Sequence, residues 1–205
     1  MLLRESFVVL PIHTVKHPTI QVRFKMRTLL NRANSSFIIY HSSFFMYEVA
    51  QNIRTIIDTT LPMLRAMPMS RVAEKPQPNK WSKKEIIGHL IDSASNNQQK
   101  FVRTMAQPHL DFVGYAQNHW VESQHYQQTN WADLLDFWAN YNRHIAHIIQ
   151  HVDPSVLSNT ISINGTGPFT LGFIMSDYAE HLTHHLKQIL PDADLKTTFV
   201  NVYNA

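Results

Sequence analysis

The sequence predicts an all-α protein: a four-helix bundle with a long connection between helices two and three and a small hairpin-like loop before helix four. Three observations carry this. Four stretches of roughly 20 residues repeat their apolar positions at helical spacing. Their ends carry capping and stop residues, and no segment sustains the alternation of a half-buried strand. The chain has 205 residues, 44% of them hydrophobic, enough for one packed core.

The first helix shows its stripe from Met46, through Val49, Ala50, Ile53, Ile56, Ile57, Leu61 and Leu64, with Pro62 expected to kink or interrupt it. Pro68, Pro76 and Pro78 then mark a linker over residues 68–80. Ser82 and Glu85 form a Ser-x-x-Glu capping box, with Trp81 placed to staple against Ile86. The second helix runs from there to about Met105, its stripe including Ile86, Ile87, Leu90, Ile91, Ala94 and Phe101. A polar-aromatic connection over 107–129 follows. The third helix starts near Asn130, presents Leu134, Leu135, Trp138, Ile145 and Ile149 on one face, and is closed by Pro154. Thr160–Ile163 reads as a short strand before the turn pair Asn164-Gly165. The fourth helix begins at Thr170 and stops at Pro191.

Residues 1–45 have a different character. They carry six Lys/Arg and one acid, whereas residues 46–205 have a net charge of −2. Two β-prone bursts, Phe7–Leu10 and Phe37–Tyr40, flank a basic stretch without a clean period. A transit-like segment is one reading. An N-terminal extension outside the fold, with Met46 as the functional start, is the favoured one. The expected organisation is therefore 1–45 extension, 46–190 bundle and 191–205 C-terminal tail. The acidic body argues against a nucleic-acid module, and no apolar run approaches the ~20 residues of a membrane helix. A cytoplasmic setting is expected.

There is no cysteine, so thiolate metal sites and a cysteine nucleophile are excluded. The thirteen histidines are the unusual feature. Two i, i+4 pairs occur within residues 46–205, His147/His151 and His181/His185, and this spacing alone does not decide between them. Helical phase separates them. At about 100° per residue, His144, His147 and His151 lie roughly 130° from the apolar centre of the third helix, on a solvated face. His181 and His185 lie at the edge of the fourth helix's stripe, where they can face the bundle as ligands or as core histidines. His89 sits off the stripe of its helix, near Ser93 and Asn96, and periodicity makes it exposed. A di-iron carboxylate bundle is excluded, because the one Glu-x-x-His motif, Glu122 to His125, falls in a loop.

The segments Trp81-Ser82-Lys83-Lys84-Glu85-Ile86-Ile87-Gly88-His89-Leu90-Ile91-Asp92-Ser93 and Asp177-Tyr178-Ala179-Glu180-His181-Leu182-Thr183-His184-His185-Leu186-Lys187-Gln188-Ile189 resemble the DinB/YfiT-like superfamily. The similarity covers roughly residues 46–190, and Tyr115 to Trp120 is similar to the family's loop between helices two and three. Residues 1–45 have no counterpart, and Ala116 stands where the family often has an acid. The resemblance implies a four-helix bundle with a divalent cation held by His89, His181 and His185, and imidazole ligands do not distinguish zinc, nickel or iron. Asp92, three residues after His89, and Gln188, three after His185, are candidate outer partners of the ligands, and His119 and Trp120, with His125 and Tyr126, are candidates for the mouth of the site. Three neutral histidines leave an open coordination position, which can activate a water or hold a small thiolate. The expected function is a metal-dependent hydrolase or low-molecular-weight-thiol S-transferase acting on a small molecule, with a homodimer as the family's common assembly. The alternative is a non-catalytic metal- or small-ligand-binding stress-response bundle.

Overall fold

A computed structural model of the protein describes residues 20–203, with side chains from His41 onward. The Phe7–Leu10 burst lies outside the described residues. The chain divides into two units at Ile38/Ile39. Among the described residues there are six α-helices: α1 (Ile20–Arg65), α2 (Met69–Ala73), α3 (Lys83–Met105), α4 (Gln117–Ser123), α5 (Trp131–Gln150) and α6 (Leu171–Ile189). Three strands, β1 (His109–Phe112), β2 (Thr160–Ile163) and β3 (Thr166–Thr170), form one small sheet in the order β1-β2-β3. The fold is thus mostly helical rather than strictly all-α.

The long helices follow the apolar stripes. In α1 the eight residues from Met46 to Leu64 that define the stripe are all buried. The helix continues through Pro62 to Arg65 instead of stopping there. Its backbone also begins earlier than Met46 and includes Phe37–Tyr40. β-branched and aromatic residues cost a helix only about 0.5 kcal/mol each, so a β-prone burst does not dictate a strand. Ion pairs tie α1 to α5, Arg65 to Asp136 and Arg143 to Asp58, and the Trp131 indole donates to the Leu64 carbonyl at 3.1 Å.

Local signals set the helix starts. The Ser82 hydroxyl accepts from the Glu85 N–H, and the Glu85 carboxylate accepts from the Ser82 N–H. Asn130 caps α5 by accepting from the Ala132 and Asp133 N–H groups, and Thr170 caps α6 through the Phe173 N–H. The linker holds the short α2, whose Val72 is buried.

The hairpin forms where expected. Asn164 (φ 50°) and Gly165 (φ 82°) take the left-handed conformation that its two-residue turn requires. The unexpected strand is β1, in the 107–129 connection, which pairs in parallel with β2. Its alternating exposure, with Leu110 and Phe112 buried, lets the sheet close over the end of the bundle core. That core is centred on Trp138, Phe101, Leu135 and Ile149.

Candidate metal centre

α3 packs between α5 and α6 and is buried without a break from Lys84 to Ala94. His89 is 0% exposed, contrary to the exposed position its phase predicts. The polar edge of α3 does not face water. It faces α6, and His89 meets His181 and His185 there.

One ring nitrogen from each of His89, His181 and His185 lies within 4.8 Å of the others. The Nε2 atoms of His181 and His185 approach to 3.1 Å. Two nitrogens bound to one zinc at 2.0–2.1 Å would be roughly 3.3 Å apart, so the pair has the spacing of a chelate. Both nitrogens of His89 are buried and have no hydrogen-bond partner among the described residues. A buried imidazole without partners is costly unless something else satisfies it.

The protonation states suit ligands. Burial, with the neighbouring His185, holds the His89 imidazole down to about 3. Burial lowers His185 to about 4, against the opposing hydrogen bond from Gln188. His181 is held well below the ordinary value, by burial first and then by His185, His89, His184 and Lys100. All three are therefore neutral near pH 7, with lone pairs available.

Gln188 orients this lone-pair set. Its Nε2 donates to His184 Nε2 at 3.0 Å, which leaves its Oε1 to accept from His185 Nδ1–H at 3.0 Å. That tautomer puts the His185 lone pair on Nε2, toward His181. Across the gap the Ser93 hydroxyl stands 3.4 Å from His181 Nδ1 and can accept from it, allowing His181 the same tautomer.

Asp92 has a different place from the one its spacing suggests. Its Oδ1 accepts from the Tyr126 hydroxyl and from Gln124 Nε2, both at 2.6 Å, and its Oδ2 has no partner among the described residues. It points to the 107–129 connection and not to His89, because the three-residue offset on α3 turns it away from the α6 face. Burial raises the Asp92 carboxyl above its ordinary value.

A cavity of about 300 Å³ opens beside the histidines, lined by His181, His185, Lys100, Tyr115, Gln117 and Tyr203 among others. His119 and Trp120 are not in its lining. His119 is exposed with its ring near Ser123, and Trp120 packs on Tyr115 at 4.9 Å between centroids, so the expected mouth is formed by Tyr115 instead. His125 is exposed, and Tyr126 is buried under α3. His144, His147 and His151 are all exposed, as their phase predicts.

Several residues around the site have no strong sequence signal. Trp81 lays its ring on His89 at 4.8 Å instead of only stapling the helix start. The tail crosses α6: Glu180 accepts from Thr197 and Thr198, Tyr203 donates to Asp177, and Phe199 packs on His181 and His184. The tail segment is thus a wall of the cavity.

The sequence matches the DinB superfamily over residues 52–189, two thirds of its length. The chain belongs to the DinB superfamily. The structure is similar to that of YfiT from Bacillus subtilis, described as "a probable metal-dependent hydrolase with an unusual four-helix bundle topology". The TM-score is 0.58 at 14% identity, over 75% of this chain and 84% of YfiT, which establishes a shared fold. No curated protein matches the sequence. Among the described residues, no helix of this DinB-superfamily chain is long and apolar enough to cross a membrane.

Proposed function

We propose that this protein is a metal-dependent enzyme in which His89, His181 and His185 hold a divalent cation, zinc, nickel or iron, beside a small-molecule cavity. The observation that carries this is the convergence of three neutral imidazoles, one of them fully buried with both nitrogens unpartnered among the described residues. YfiT, described as "a probable metal-dependent hydrolase", has the same fold. A bound ion would supply Lewis acidity and an open coordination position for a water or a low-molecular-weight thiol.

The chain's own groups supply the rest. Gln188 fixes the His185 tautomer, and outer partners of this kind commonly tune imidazole ligands. Trp81 and Phe199 keep water from the backs of His89 and His181. Burial and Asp92 push the Tyr115 phenol up, so it stays protonated and presents a hydrogen-bond donor at the cavity wall. The bundle is proposed to begin at Met46, the first buried residue among those whose side chains are described, since Phe44 and Phe45 are 55% and 53% exposed.

Hydrolase and thiol S-transferase are the two forms of this proposal. They separate when metal-loaded protein is assayed on ester, amide and electrophile panels with and without added thiol. Turnover without thiol identifies the hydrolase, and an absolute thiol requirement identifies the transferase. The non-catalytic binding bundle is favoured by one observation: Asp92 and Asp177 each accept from a tyrosine hydroxyl and neither is turned to the histidines. Saturable metal binding with no turnover on any panel would sink the enzyme reading in its favour.

A further inference from the structure

At 11 residues beyond His89, Lys100 is three turns along α3 and about 20° from it, on the same face as Ser93. Its side chain is half-buried and enters the cavity that His181 and His185 line. The ammonium stands 5.6 Å from the centroid of Phe112 and 5.7 Å from that of Tyr203. It has no hydrogen bond and no ion pair among the described residues. The nearest candidate anion, Asp177, lines the same cavity, but its carboxylate accepts from the Tyr203 hydroxyl at 2.5 Å and forms no ion pair with Lys100.

Two aromatic faces attract an ammonium only modestly, by about 0.5–2 kcal/mol, and do not replace the anion or water that a partly buried charge needs. Burial brings Lys100 down to about 8, partly offset by Asp177, so it remains mostly cationic at pH 7. The cavity also holds polar groups suited to an oxyanion. Asn164 uses its Oδ1 to accept from the Gly114 N–H at 2.8 Å, leaving its amide N–H donors for a ligand.

We propose that Lys100 is the specificity-determining residue of this cavity, binding an anionic group, carboxylate or phosphate, of a small molecule whose other end faces the histidines. This deepens the metal-enzyme reading and rests on it for the assignment of the small molecule as substrate. The cavity, at about 300 Å³, suits a compact metabolite-sized anion.

The test is calorimetric titration of the full chain, metal-loaded and metal-free, with succinate, inorganic phosphate and neutral succinamide. The wild type should bind at least one of the two anions and not succinamide. Succinate alone assigns a carboxylate, phosphate alone a phosphate ester, and both a shared oxyanion site. Lys100→Met should weaken that binding by about tenfold or more, while Lys100→Arg, which keeps the charge, should stay within about threefold. Anion binding equally tight in Lys100→Met, or no anion bound by the wild type in either state, overturns the proposal. Metal content is measured on the same samples. One equivalent of metal with Lys100-independent binding fails this proposal alone. Lys100-dependent binding in a wild type that takes up no metal upholds the anion site and fails the metal reading.

Discussion

His89→Leu is expected to make the metal-free protein more stable by about 1–2 kcal/mol while abolishing its stabilisation by metal. In the wild type both nitrogens of His89 are buried without partners among the described residues, so the metal-free fold carries the desolvation cost of an imidazole without hydrogen bonds there. Leucine fills a similar volume under Trp81 without polar atoms. The pH dependence should change with it. The folded His89 titrates at about 3 against an ordinary 6.5, so below pH 6.5 the unfolded chain takes a proton that the folded chain refuses. Through this residue, stability is complete above pH 6.5 and falls by about 1.4 kcal/mol per unit as the pH drops toward 3. His89→Leu removes that contribution. Thermal unfolding of chelator-treated protein between pH 8 and 4.5, repeated with added zinc, reads both effects. A variant that is less stable without metal, yet still gains stability from zinc, would contradict the role given to His89.

Gly88→Ala should be the most disruptive small substitution near the site. A Cβ at Gly88 would lie 2.1 to 2.5 Å from three carbons of the Tyr126 ring, well inside contact distance. The ring cannot move without breaking its hydroxyl's bond to Asp92, whose other oxygen already lacks a partner. Overpacking of this kind costs about 1–3 kcal/mol, and weakening the buried carboxylate's bonds adds to it. The expected fall in Tm is on the order of 5–10 °C. The pair Gly88→Ala with Tyr126→Leu should recover part of it, because the clash is relieved. A single variant with an unchanged Tm would mean that the Tyr126 ring does not lie over α3.

How far the molecule was legible depended on how local each cause was. The Ser82/Glu85 capping box, the Asn130 and Thr170 caps and the Asn164-Gly165 turn act within a few residues, and the structure has them where the pattern puts them. The stripe of α1 from Met46 was equally clear, since that part of the helix buries one face only. His89 was misplaced by its own periodicity for a definite reason: apolar spacing finds the hydrophobic face of a helix, and α3 also buries a polar one against α6. The paired motifs of the superfamily, not the helical phase, singled it out. β1 was hidden because its partner β2 lies about 50 residues away and parallel pairing leaves no turn signature. Phe199 and Tyr203 were hidden likewise, as single aromatic residues in a polar tail whose anchors, Glu180 and Asp177, sit on another element. Lys100 carries no local signal of its own, and only the closing of the tail and β1 around it gives it a cavity.

The most direct measurement is metal content by elemental mass spectrometry on untagged protein, for the wild type, His185→Ala and His147→Ala. His185 belongs to the converging triad, whereas His147 is an exposed member of an i, i+4 pair with the same spacing. The geometry predicts about one equivalent of metal in the wild type, lost in His185→Ala and kept in His147→Ala. No metal in the wild type after reconstitution, or equal loss in both variants, would contradict it and leave His89, His181 and His185 as core histidines.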